Sequence, residues 1–394
     1  MKNWFSVFFF LLFSCFLRFC VLVARYDSIK SPVVIVPGTG GSQIEAKLNK
    51  TSTIHRYCRK KTSSYVNMWL QKSSLFPQLN DCWVDNMRLV YDWSTNSLHN
   101  APGVTIRVPG FGQTSTIEYL DTMNLTKYFK PMVDALVSWG YERGITVRAA
   151  PYDFRYAPDS GDVYFMKLKK LIEDTSKMNR EKKVTLLTHS LGCPYTLAFL
   201  NRQTNHWKNT YIKQWIALSG IWGGAAPLLW RYASGDACGV PLGCSSHTFM
   251  LPSKELWSAD EVLLRTPSRS YTTQDFDDFF RDIGFPKGSL VRRNVQSLIS
   301  PLHKYSPHVT LYCLFGSGIG TAERYTYGPG EFPHGNPSIA YGDGDGTVNA
   351  RSLKACKNFQ QRHGILIKVY PGRNHEDILS DDSVHDYIKS ILFQ

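Results

Sequence analysis

Six short runs of this chain are rich in apolar and β-branched residues, and each ends in a turn signal. Pro32–Val36 leads into Pro37-Gly38, Ile145–Arg148 into "AAPYDFRYAP", and Val184–Leu187 into the segment around Ser190. Ile212–Leu218 ends in Ser219-Gly220, Val309–Phe315 in Gly316, and Ile365–Tyr370 in Pro371-Gly372. A strand apolar at every position must be covered on both faces, as strands of a parallel sheet are. Between these runs the period changes. Lys127–Gly140 carries Met132, Leu136 and Trp139 near helical spacing, and Val163–Lys177, Leu191–Asn201 and Ser383–Leu392 also read as helices. The alternation predicts an α/β fold with a mainly parallel sheet between helices. Residues 52–84, containing "YVNMWLQKSSLFP", and residues 223–300 break the alternation and are predicted to be insertions over the active edge of the sheet. There is no internal repeat and no low-complexity tract.

The N-terminus has a different pattern. Lys2 precedes an almost wholly Phe, Leu and Val run from Trp4 to Leu17, which Arg18 interrupts before the apolar character resumes to Ala24. This reads as a secretory signal, residues 1–24, ahead of a single catalytic domain over 25–394. The alternative is an uncleaved anchor. Arg18 argues against it, because a span wants roughly 18 uncharged residues. No later stretch is long enough to cross a bilayer.

Secretion changes how the cysteines are read. Of nine, Cys15 and Cys20 lie in the signal, leaving Cys58, Cys82, Cys193, Cys238, Cys244, Cys313 and Cys356. An odd number implies at least one free or intermolecular thiol. The local pairs Cys58–Cys82 and Cys238–Cys244 suit an oxidising compartment, with free buried cysteines the alternative, and spacing alone does not set the connectivity. Asn49-Lys-Thr51 and Asn124-Leu-Thr126 are glycosylation acceptors on the same path. Net charge is +13, and losing two cations with the signal leaves +11. Such a surface favours anionic partners, of which a phospholipid surface fits best; no nucleic-acid signature is present. No cofactor or metal is called for, and a monomer is expected.

The candidate chemistry begins at "THSLG". Ser190 sits where a strand passes into a helix, and Gly192 supplies one small neighbour of the G-x-S-x-G nucleophile elbow, while Thr188 replaces the other glycine. A helix N-cap serine is the plain alternative. A serine hydroxyl hardly ionises near neutral pH, so it needs a histidine base, held in its tautomer by a carboxylate. Asp345, in "YGDGDGTVNARS", and His375, in "YPGRNHEDIL", follow in the order Ser, Asp, His, each beyond a candidate strand. Taken alone, Asp343 and Asp345 could be a calcium loop or a plain turn. An oxyanion needs two backbone donors. Leu191 N–H provides one, and Thr39 in "VPGTGGSQ" the other. A phosphate loop there lacks the lysine and hydroxyl that such a loop requires.

With these residues together, the chain resembles the lecithin:cholesterol acyltransferase family, nearest its lysosomal phospholipase A2 branch. "VPGTGGSQIEAKL", "APGVTIRVPGFG", "APYDFRYAP", "THSLG", "WGG" at 222–224, "DIGF" at 282–285 and "GDGDGTVN" carry the likeness over essentially the whole mature chain. The resemblance implies an α/β-hydrolase with cap and lid insertions, and the triad Ser190, Asp345 and His375 with oxyanion donors Thr39 and Leu191. It also implies disulfides Cys58–Cys82 and Cys313–Cys356, a membrane-binding loop within 52–84, and a lid over roughly 223–250. The implied activity is transfer of a fatty-acyl group from a glycerophospholipid to water or a lipophilic alcohol, in the lysosome or outside the cell. A neutral-lipid lipase or esterase would use the same triad. Met68, Trp69 and Leu70 are expected to insert into a phospholipid membrane or lipoprotein surface, with Lys60 and Lys61 near anionic head groups, each worth about 1 kcal/mol. The chain departs from the family in three places. The lysosomal branch carries an aspartate where Thr39 stands, which withdraws the reason to expect an acid optimum. Ile221 replaces a proline before "WGG". Cys193, Cys238 and Cys244 lie outside the family's disulfide positions.

Overall fold

The computed structural model describes residues 30–70, 77–158, 162–235, 244–296, 298, 300–360 and 364–394. The predicted signal lies outside the described residues. The six apolar runs form one sheet: β1 (Val33–Val36), β2 (Val147–Ala149), β3 (Val184–His189), β4 (Ile212–Leu218), β5 (Leu311–Ser317) and β6 (Ile365–Pro371). The spatial order is β6-β5-β4-β3-β1-β2, and every pairing is parallel. The fold is an α/β-hydrolase.

Burial explains the lack of alternation in the inner strands, while the edge strand β6 departs from the expected cover on both faces and leaves Leu366, Ile367 and Val369 exposed. Val34 and Val36 of β1 enter one apolar core, while Val33 and Ile35 enter another on the opposite face. The first core receives α2 (Asp162–Met178) and α3 (Gly192–Asn201). The second receives α1 (Lys130–Ser138) and the C-terminal α7 (Asp382–Leu392). Each fully buried Val or Leu contributes about 1.5–3 kcal/mol, so neither face tolerates a polar register.

The insertion at 223–300 contains α4 (Pro227–Ser234), α5 (Ser245–Phe249) and α6 (Lys287–Val295). It also supplies the short strands Leu264–Arg265 and Ser270–Tyr271. These join Thr321–Thr326 and Ser338–Gly342 in a four-stranded sheet, so the cap extends past residue 300 and draws on the segment after β5. Residues 236–243, the middle of the expected lid, lie outside the described residues.

The region 52–84 is anchored by pairing. Val66–Trp69 lies antiparallel to Ile44–Leu48, which pairs with Val104–Arg107. A disulfide joins Cys58 to Cys82, and a second joins Cys313 on β5 to Cys356 in the following 3-10 turn. The pairing of Cys238 with Cys244 is corrected: Cys244 is a free buried thiol, pushed up to about 12 by burial, and Cys238 lies outside the described residues. Cys193 is also free and buried.

The expected membrane contacts are corrected too. Because Val66–Trp69 is a paired strand rather than a free loop, Met68 points inward and is only 3% exposed, and its carbonyl accepts from Trp83 Nε1 at 2.7 Å. Trp69 turns toward Gly40, donating to its carbonyl at 2.6 Å, and packs edge-on to Phe154. Leu70 is half-buried, with its N–H on the Leu120 carbonyl. Among the described residues of this region, the large apolar side chains exposed are Ile54, Tyr57 and Leu79.

Candidate active site

Ser190 follows the last residue of β3 and adopts φ 54°, a left-handed backbone that is costly for a side chain. Its N–H donates to the Leu218 carbonyl at 2.9 Å, while its own carbonyl accepts from Cys193 N–H at 3.0 Å. The sharp turn needs room. A Cβ on Gly192 would stand 2.4 Å from the Pro37 carbonyl oxygen, and one on Gly38 would stand 2.7 Å from the Ser190 Cβ. Thr188 fits in place of the other elbow glycine because it sits on β3 itself and points into a partnered pocket. Its hydroxyl accepts from Trp215 Nε1 at 2.8 Å and lies 3.1 Å from Cys193 Sγ.

Asp345 and His375 converge on this serine from the two loops beyond β5 and β6. The Asp345 carboxylate accepts N–H bonds from Thr347 and Val348 and lies 2.6 Å from His375 Nδ1. Burial pushes the Asp345 carboxyl up. The facing His375 and the two N–H donors more than offset that and hold it below its ordinary value. An ionised carboxylate puts the histidine proton on Nδ1. The Nε2 lone pair then faces Ser190 Oγ at 2.9 Å. His375 N–H also donates to the Asp345 carbonyl at 2.9 Å, which ties the two loops together. Asp343 accepts from Gly318 N–H and serves the turn. Among the described residues no cluster of His, Cys, Asp or Glu is arranged to hold a metal.

A second chain of hydrogen bonds stands behind the first, through residues to which sequence reasoning assigned no role. His189 Nε2 donates to the His375 carbonyl at 2.9 Å, which leaves Nδ1 to accept from the Tyr128 hydroxyl at 2.6 Å. The Tyr128 oxygen in turn accepts from Gly38 N–H at 3.0 Å. Burial first, and repulsion from His375 second, hold the His189 imidazole down to about 3, so it stays neutral. Tyr128 is raised by burial and keeps its proton. A histidine inside an apolar strand run was the available signal, since such a residue must find partners.

Thr39 and Leu191 flank Ser190, and among the described residues neither N–H has an acceptor. Two free donors beside the nucleophile suit a developing oxyanion. Thr39, Ser190 and His375 open on a cavity of about 360 Å³, lined from the cap by Leu228, Arg231, His247 and Met250, with Trp69 also on its wall. The sequence reading assigned no role to Arg231, His247 or Met250. Asn49 and Asn124 are exposed. No helix among the described residues is long and apolar enough to cross a membrane.

The sequence profile described as "Lecithin:cholesterol acyltransferase" matches residues 65–300 and 289–390. The chain is 40% identical over 378 residues to the "Lysosomal phospholipase A and acyltransferase" of Canis lupus familiaris, covering 92% of this chain and 91% of that protein. The protein of the same description from Homo sapiens is 40% identical over 376 residues, with 92% and 90% covered. The "Phosphatidylcholine-sterol acyltransferase" of Rattus norvegicus is 38% identical over 383 residues, covering 94% of this chain and 86% of that protein.

Proposed function

The chain belongs to the lecithin:cholesterol acyltransferase family, and on that premise we propose that it is a phospholipase A and lipid O-acyltransferase working through an acyl-serine intermediate. The observation that carries this reading is the line from Ser190 Oγ to His375 Nε2 at 2.9 Å and from Nδ1 to Asp345 at 2.6 Å.

Ser190 Oγ attacks the carbonyl carbon of a fatty-acyl ester while its proton passes to His375 Nε2. The carbonyl oxygen takes up the negative charge and accepts from the N–H groups of Thr39 and Leu191. Asp345 stays ionised and balances the imidazolium. The tetrahedral centre then collapses. The glycerol oxygen leaves with the proton from His375, and Ser190 holds the acyl group. Water or a lipophilic alcohol gives its proton to His375, attacks the acyl carbon and releases a fatty acid or a new ester, and Ser190 recovers its proton.

Surface chemistry supports docking on an anionic phospholipid membrane or lipoprotein surface. Ile54 and Tyr57 are exposed beside Arg56, Arg59, Lys60 and Lys61, and the Cys58–Cys82 disulfide and a His55–Asp81 contact hold Leu79's helix close by. The reading has the enzyme acting as a monomer on the secretory path, lysosomal or extracellular, with glycans on Asn49 and Asn124.

Incubation with phosphatidylcholine vesicles tests the proposal. Ser190→Ala should lower turnover by roughly 10⁴-fold or more while the melting temperature holds, and a fluorophosphonate probe should label only the chain that keeps Ser190. Near-normal turnover of the variant would refute the assignment. Wild-type cleavage of triolein without cleavage of phosphatidylcholine would favour a neutral-lipid lipase.

A further inference from the structure

Two groups on the cap side of the catalytic cavity are without partners. Arg231 on α4 forms no ion pair or hydrogen bond among the described residues. Several arginines nearby are paired, Arg269 with Asp278, Arg351 with Glu261 and Arg155 with Asp153, while Arg292 on α6 lies over the Phe276 ring. His247 on α5 is 4% exposed, and its ring nitrogens have no hydrogen-bond partner among the described residues; its ring only packs edge-on to Tyr232. Burial, then the charge of Arg231, hold this imidazole down to about 3, so it presents one N–H and one lone pair. Arg231 is half-buried and the His247 nitrogens are unpaired among the described residues, so a ligand in the cavity can accept hydrogen bonds from both. Both line the cavity that holds Ser190, Thr39 and His375. The carboxylate on that cavity, Glu376, is exposed at its rim and makes no ion pair with Arg231.

We propose that Arg231 and His247 form a phosphodiester subsite that holds the head-group phosphate of a glycerophospholipid while its ester lies at Ser190. The proposal rests on the phospholipase reading above and names what that site recognises. The phosphate of such a lipid is only a few bonds from either acyl ester, so one cavity accommodates both. Guanidinium matches two phosphate oxygens with a fork of donors, and the neutral imidazole adds a third donor without adding charge. The subsite reads the phosphate and leaves choline, ethanolamine or glycerol outside it.

The test compares two monomeric substrates with the same acyl chains, dihexanoyl phosphatidylcholine and 1,2-dihexanoylglycerol, which lacks the phosphate. For Arg231→Gln the ratio of kcat/KM on the first to that on the second should fall by about 10- to 100-fold, chiefly through KM. Arg231→Lys should recover part of the loss, and His247→Gln should fall between the two. A ratio moving less than twofold in Arg231→Gln would overturn the subsite while leaving the phospholipase reading standing. Wild-type protein that turns over only the diglyceride would instead sink the phospholipase reading itself. A second arm needs no variant: glycerophosphocholine should inhibit diglyceride turnover by the wild type competitively. Inhibition by inorganic phosphate but not by glycerophosphocholine would reveal a free-anion site and overturn the lipid assignment.

Discussion

Tyr128 and His189 never reach the substrate in this geometry, yet they join the loop that carries Thr39 to the backbone of His375. The proposed oxyanion donors and base come from segments far apart in the chain, and this link sets their spacing. Tyr128→Phe removes one hydroxyl and leaves His189 Nδ1 and the Gly38 N–H unmet inside the protein. Each orphaned group costs about 1–3 kcal/mol. The expected result is a lower melting temperature and a kcat about tenfold lower with KM nearly unchanged, because the loss falls on geometry reached in the transition state. Equal changes in kcat and KM would show a general loosening instead. At this scale the sequence pointed to the residues of the proposed reaction but not to their supports. Ser190, Asp345 and His375 follow from chemistry and order, while a tyrosine upstream of a helix carries no mark of its hydrogen bond.

At the scale of elements, the strand–turn–helix of β3 and α3 was legible because the apolar run, the serine and Gly192 are local. The end of β4 was legible for the same reason. The disulfide-bearing region was not. Met68, Trp69 and Leu70 read as a membrane-inserting tip, and only the pairing of Val66–Trp69 with Ile44–Leu48 turns Met68 into the core. Among the described residues there, the exposed apolar side chains include Ile54 and Tyr57. Replacing both with Ser should lower activity on anionic phosphatidylcholine–phosphatidylserine vesicles about tenfold or more, from roughly 1.5–3 kcal/mol of lost apolar contact per side chain. Activity on monomeric dihexanoyl phosphatidylcholine should change far less. Equal losses on the two substrates would place these residues outside any lipid contact.

Over the whole molecule, two buried histidines set a response to pH. His189 and His247 are both held down to about 3, whereas in the unfolded chain they titrate near 6.5. Between those values only the unfolded chain binds the protons. The stability present above about 6.5 is therefore lost as pH falls toward 3, with a slope approaching about 1.4 kcal/mol per pH unit for each histidine. The Asp345 carboxyl, held below its ordinary value, contributes a loss only at lower pH. Melting temperature should fall steadily from pH 7 to pH 4.5, and His247→Gln should show a shallower fall; a wild-type profile flat across that range would contradict this account. The sequence by itself determined the sheet, the two faces of its inner strands and the three residues that the proposed reaction uses. Hydrophobic runs report burial directly, and a nucleophile, base and carboxylate are recognisable by type and order. Only the tertiary structure decided the inward turn of Met68, the free thiol of Cys244, the Tyr128–His189 link and the cap wall with Arg231 and His247. Each of these depends on which distant segment lies opposite, and a one-dimensional pattern does not record that.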